Sequence, residues 1–257
     1  MFADVRSVVL NNTPRCGRCR LPPRWCVCAG QKGVQCDLEI DVLTHHREWF
    51  RPSSTSHLIQ RVMPAARQHL WRRERPIDPA SIRKPGRELW VLHPHGAPMP
   101  AGAAATKVQV VLLDGAWRET SAMAQGMGAW GRLVSLPMAG ESRYWLRAQA
   151  DVSRFSTIEA LLWMMQALGC QEAHDDLRAQ FELHVYANLR ARGFKELAAE
   201  FLKSSPVPAC FPEMLAQLHT RRPNDEAAQP WSAAGPLAPP VSNPAGRPPT
   251  PPVAAPP

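Results

Sequence analysis

The sequence predicts an α/β fold around a mostly parallel sheet, and three observations carry that prediction. Strand-like and helix-like periodicities alternate along the chain, one strand is almost wholly apolar, and an apolar fraction of 45% in 257 residues suffices to bury a core. Leu38, Ile40 and Val42 alternate with Asp37, Glu39 and Asp41, the pattern of a half-buried strand. Residues 54–62 read as a helix that Pro64 stops. Residues 88–92 form a second strand and 108–113 a third, apolar enough to be buried on both faces. Residues 116–127 read as helix, 132–136 as a short strand, and 157–168 and 172–192 as two strong helices. Ligands of such sheets gather at the carboxyl ends of the strands.

Three parts follow from composition. Residues 1–35 are basic and cysteine-rich, residues 36–220 form the α/β body, and residues 221–257 hold twelve prolines, too many for helix or central strand, so a disordered tail is expected there. The formal charge of +8 and pI near 9.5 point to a polyanionic partner, nucleic acid first. No apolar run approaches the roughly 18 residues that span a bilayer. The expectation is a cytoplasmic protein without a membrane partner, and nothing in the sequence indicates a protein partner.

Four of the seven cysteines, Cys16, Cys19, Cys26 and Cys28, lie within thirteen residues. Thiolates at this density suit a tetrahedral, structural Zn²⁺, and disulfides are disfavoured in a cytoplasmic chain. A set of unrelated free thiols is the alternative. Arg15, Arg18, Arg20 and Arg24 stud the same segment around Trp25, and Arg72 and Arg73 sit beside Trp71 in a second basic run. Basic patches interleaved with aromatics can grip a phosphate backbone and stack on bases. They can also be solvated charged faces.

The apolar strand ends in Leu113-Asp114-Gly115-Ala116-Trp117, an acidic residue and a glycine where α/β ligand sites form. Asp114 could equally cap the following helix. Four further pieces occur in order with this motif: the cysteine cluster, His45-His46-Arg47-Glu48 with Arg51-Pro52-Ser53-Ser54-Thr55, Tyr144-Trp145-Leu146-Arg147, and Ser156-Thr157-Ile158-Glu159-Ala160. Together they resemble the DTW-domain family of tRNA-uridine aminocarboxypropyltransferases, over roughly residues 14–169.

The resemblance implies a SPOUT-like sheet with a trefoil-type knot. It also implies transfer of the 3-amino-3-carboxypropyl group of S-adenosylmethionine to N3 of a tRNA uridine, releasing 5′-methylthioadenosine. On that basis Asp114 is the candidate base, and Trp117 is placed against uracil or adenine, with core packing as its alternative. Ser54, Thr55 and Ser56 at a helix start, with Arg147, are candidates for the amino acid end of the substrate, and Leu113, Gly115, Thr157 and Glu159 for its remainder. Ser156 with Glu159 also fits a capping box, which needs no ligand. The sequence departs from the family pattern in Ala116, where a threonine is usual, and in Ser54 and Ser56, where asparagine and glycine are usual. A methyltransferase on the same fold and a non-catalytic zinc-knuckle RNA-binding protein are the rival readings.

Overall fold

The computed structural model describes residues 15–146 and 155–221. Arg147 and the proline-rich tail therefore lie outside the described residues. The elements are β1 (Glu39–His45), α1 (Thr55–Val62), β2 (Arg67–Trp71), α2 (Pro79–Ile82), β3 (Glu88–Pro98), β4 (Val108–Asp114), α3 (Trp117–Ala124), β5 (Arg132–Ser135), α4 (Thr157–Ala167), α5 (Gln171–Ala191), α6 (Lys195–Lys203), α7 (Val207–Cys210) and α8 (Pro212–Thr220). The five strands form one parallel sheet in the order β2-β1-β4-β3-β5.

Two cores flank that sheet. Ile40, Val42, Trp90, Val110 and Leu112 join the larger one, together with residues of α1, α4 and α5 such as Leu58, Ile158 and Phe181. Leu43, Leu89, Val91 and Val111 join the smaller, with Ile82 of α2 and Met123 of α3. Period-two alternation thus feeds both faces, as a parallel sheet covered on each side requires.

Strand β1 corrects the half-buried expectation: everything from Ile40 to His45 is buried. Its acidic member is internal, not solvent-facing. Asp41 is 0% exposed and accepts hydrogen bonds from Arg67 Nη2 (2.8 Å) and Gln109 Nε2 (2.7 Å), with His69 Nε2 2.7 Å away. Burial alone would raise its pKa, but the contacts with His69, Gln109 and Arg67 outweigh it and hold the carboxyl below its ordinary value. The basic run that begins at Arg67 proves to contain an edge strand, β2, whose polar side chains face partners on β1 and α1. Strand β3 runs six residues beyond its predicted end, across an irregularity between Leu92 and Ala97. Gly96 permits this, because a Cβ there would stand 2.6 Å from the Val134 backbone.

The cysteine-rich segment packs into the larger core. Leu21, Trp25 and Val27 are buried in it together with all four cysteines. After Cys19 the chain reverses through Arg20 at φ 59°, the sole non-glycine with positive φ among the described residues. Two short 3-10 turns, Pro23–Trp25 and Cys28–Gly30, then bring Cys26 and Cys28 back to the first pair.

Candidate active site

Asp114 ends β4 and lies opposite Thr44 of β1 in the sheet register. It is buried, with 7% exposure. Its Oδ1 accepts from Thr157 Oγ1 at 2.8 Å and its Oδ2 from Ser54 Oγ at 3.3 Å. Each hydroxyl stands at a helix start, Thr157 as the first residue of α4 and Ser54 as the residue preceding α1. The carboxylate therefore meets the positive ends of two helices. Ser54 Oγ lies 2.7 Å from Ser56 Oγ, and Gln68 Nε2 donates to both Ser56 Oγ and Thr44 Oγ1 at 2.9 Å. His57 Nδ1 lies 3.2 Å from Gln68 Oε1, and its Nε2 faces the Trp49 carbonyl. Ser54, Ser56, Asp114 and Thr157, from three distant stretches of the sequence, are thus one hydrogen-bonded cluster, with Thr55 buried between the two serines and Thr157 half-buried.

A cleft of about 110 Å³ opens beside this cluster over the carboxyl ends of β3, β4 and β5. Leu92, Leu113, Gly115, Trp117, Val134 and Thr157 are among its walls. Trp117 is 39% exposed on the cleft, which overturns core packing as its role. Ser54, Thr55 and Ser56 are buried with Asp114, and none of the four lines the cleft; its walls Leu113 and Gly115 flank Asp114 in the chain and its wall Thr157 donates to it. Helix α3 starts after Ala116, whose backbone N–H donates to Glu119 Oε2 at 2.8 Å in place of the missing side-chain cap. The hydroxyl of Ser56 is absorbed by Ser54 and Gln68, so this departure from glycine leaves the cleft open.

Glu159 belongs to a different job. Its Oε2 accepts from the Ser156 backbone N–H at 2.7 Å and from Ser156 Oγ at 2.8 Å, a capping contact at the start of α4. Its Oε1 accepts the Arg143 N–H at 2.6 Å, fixing the loop before Tyr144. Tyr144 in turn donates to the Ser53 carbonyl at 2.7 Å, which holds the start of α1 against that loop. His45 is buried at the end of β1, its ring stacked on Trp71 at 5.4 Å and its Nδ1 3.5 Å from Glu119. Burial lowers its pKa, so the ring is neutral near pH 7.

Sequence reasoning missed Gln68, which braces Ser56 and Thr44, and with it Thr44 and Glu119. Gln68 sits inside β2, hidden by the reading of that stretch as a basic run. Thr44 is one residue upstream of the histidine pair, at a strand end where ligand sites form, and that position was the available signal.

The four cysteine Sγ atoms are all buried and lie within 4.8 Å of one another. Cys16–Cys28 and Cys19–Cys26 are each separated by 3.7 Å. That is far beyond a disulfide bond and close to the edge of about 3.8 Å expected for a tetrahedron with Zn–S bonds of 2.3 Å. Arg61 points the same way. Its Nε and Nη2 are buried without a hydrogen-bond acceptor, and while burial lowers its pKa, Cys19, Cys28 and Cys16 act in the opposite direction. Four thiolates on a divalent ion would supply the negative charge those donors lack. The cluster fits a zinc site.

The expected RNA-facing arginines divide into two groups. Arg72 and Arg73 are exposed in the turn after β2. Arg15 and Arg18 are half-buried, and Arg15 donates to the Arg20 carbonyl at 3.0 Å. Arg20 is 8% exposed and donates to the Trp49 carbonyl at 2.9 Å, so it holds the interior together instead of meeting a partner. Trp25 is buried as well, with Arg24 5.1 Å and Arg190 4.7 Å from its ring centre, which corrects the expectation that it stacks on a base.

Residues 13–188 match the family model described as the DTW domain. The chain belongs to the DTW-domain family. Solved structures give no match. The family is known as a tRNA-uridine aminocarboxypropyltransferase domain and is associated with aminocarboxypropyl modification of tRNA uridine. In this DTW domain the match spans the cysteine cluster, the whole sheet and most of α5. Among the described residues no helix is long and apolar enough to cross a membrane.

Proposed function

We propose that this DTW domain transfers the 3-amino-3-carboxypropyl group of S-adenosylmethionine to N3 of a uridine in tRNA. The observation that carries the reading is Asp114: a carboxylate oriented by Thr157 and Ser54, at the carboxyl edge of the sheet, beside a cleft walled by Trp117. Uracil N3 is a poor nucleophile until its proton leaves. Asp114 takes that proton, and the N3 lone pair forms a bond to the carbon of the aminocarboxypropyl chain next to sulfur. The C–S bond breaks with its electrons going to sulfur, and neutral methylthioadenosine departs. The sulfonium is already an activated leaving group, so the chemistry needs no metal, and zinc at Cys16, Cys19, Cys26 and Cys28 is structural with all four positions filled.

Leu113, Gly115 and Thr157 border the cleft where the adenosyl part would lie, and Trp117 offers its face to a base. Arg147 remains the proposed partner of the amino acid carboxylate, because the start of α1 is turned to Asp114 instead. The parallel sheet supports the SPOUT-like assignment, and a trefoil-type knot is part of the same reading. Asp114→Asn keeps the size of the side chain and removes the base. Its turnover should fall by roughly 10²–10⁴ while tRNA affinity is maintained. Near-normal turnover in this variant would refute Asp114 as base.

A further inference from the structure

Three large hydrophobic side chains are markedly exposed among the described residues: Phe50, Trp117 and Leu197. Trp117 lines the cleft beside Asp114. Phe50, 67% exposed, lies on the segment joining β1 to α1, which leaves the sheet beside Asp114 and returns at Ser54, 3.3 Å from the Asp114 carboxylate. Arg47 in the same segment lies 3.5 Å from Glu119, on the first turn of α3 two residues after Trp117.

This exposure is not that of a loose loop. Successive turns fix the backbone, with Glu48 N–H donating to His45, Arg51 N–H to Glu48 and Ser54 N–H to Arg51. On one side of Phe50, Trp49 is 2% exposed and its carbonyl is held by Arg20 and His57. Beyond it, Glu48 is also 2% exposed and pairs with Arg51 at 2.8 Å. Buried anchors therefore press a phenyl ring outward at a fixed place. His46, Arg47 and Arg51 in the same segment are exposed, as are Arg72, Arg73 and Arg75 in the turn after β2. The backbone bond from His46 N–H to the Trp71 carbonyl at 3.2 Å ties the two segments together.

We propose that Phe50 is a stacking platform for an unpaired base of the RNA substrate, with these arginines tracking its phosphates. The inference rests on reading the site as RNA-modifying, and it adds a recognition residue and a strand requirement to that reading. An exposed aromatic ring on a rigid segment that also carries cations is the arrangement that holds single-stranded nucleic acid, since every base offers a π-face and every linkage a negative charge. A duplex keeps its bases stacked internally and has none to give to Phe50.

The test is fluorescence anisotropy of the full chain with a short labelled uridine-rich oligoribonucleotide, single-stranded or annealed to its complement. The parent should prefer the single strand. Phe50→Ala should weaken that binding roughly 5- to 100-fold without changing its salt slope, and Phe50→Trp should restore it. Arg72→Ala with Arg73→Ala should instead flatten the salt slope. Equal binding of single strand and duplex, unchanged affinity in Phe50→Ala, or a Trp variant as weak as the Ala variant would each overturn the proposal. So would a Phe50→Ala protein that binds RNA normally but no longer binds anionic vesicles. If the parent binds single strands in this way yet releases no methylthioadenosine with tRNA, the catalytic reading fails and the platform stands. If tRNA is modified and Phe50→Ala leaves its KM unchanged, the platform fails and the chemistry stands.

Discussion

Removing the metal from the cysteine cluster should destabilise the whole domain, and the structure sets the scale of the effect. Cys26→Ser replaces one soft ligand and leaves a polar hydroxyl among three buried thiols. The segment from Cys16 to Cys28 is not a separate lobe: Leu21, Trp25 and Val27 are inserted in the larger core, where Arg24 and Arg190 cover the Trp25 ring. Releasing the segment re-exposes those three side chains, a loss of roughly 4.5–9 kcal/mol at about 1.5–3 kcal/mol per large apolar side chain. It also removes the Arg18 carbonyl to which Arg61 Nη1 donates at 3.3 Å. A loss of this size is comparable to the entire stability of an ordinary domain, about 5–15 kcal/mol. The assay is thermal unfolding by circular dichroism, with metal content measured on the same samples. The parent should hold one zinc per chain, and Cys26→Ser or chelator-treated protein should melt far lower in one cooperative step. An unchanged melting temperature in metal-free protein, or a small separate transition with the main one intact, would refute this reasoning.

Two further outcomes follow from local geometry. Ala116 has extended backbone angles at an exposed N-cap without a side-chain acceptor, so Ala116→Ser should raise stability by about 0.5–2 kcal/mol in denaturant titration, and a neutral or lower value would contradict the cap assignment. Burial first, and the nearby Arg20 charge second, push the His57 pKa from 6.5 to about 4, so the native ring is neutral and the unfolded one takes a proton below pH 6.5. Its contribution is therefore complete above that pH and is lost as pH falls toward 4, about 2 kcal/mol by pH 5; His57→Gln should lessen the fall in urea stability between pH 7 and 5, and an identical fall would show that His57 is not buried neutral.

Apolar periodicity made the sheet readable where burial is carried by apolar residues, and hid it elsewhere. Strand β4 and helices α4 and α5 announce themselves because most of their buried positions are hydrocarbon. Strand β2 does not, because Arg67 and His69 meet Asp41 and Gln68 meets Thr44 and Ser56; its strand character resides in partners that a single segment cannot display. The same partners explain why β1 looked half-exposed, since Asp41 reads as a solvent-facing residue until Arg67 and Gln109 are seen around it. The helices after residue 192 were not anticipated at all. At the site, Asp114 was legible from its place after an apolar strand, and the four cysteines from their spacing. Gln68 was not, because a glutamine that braces two hydroxyls has no local signature. Arginine count alone also misjudged the cysteine-rich segment, where Arg20 is spent on the Trp49 carbonyl.

The adenosyl product released when the purified protein is incubated with S-adenosylmethionine and tRNA tests the central claim most directly. Chromatography of the reaction should show 5′-methylthioadenosine accumulating in step with uridine carrying an added aminocarboxypropyl group. S-adenosylhomocysteine in its place would mean that the domain moves a methyl group, and tRNA binding with neither product would mean that it does not catalyse transfer at all.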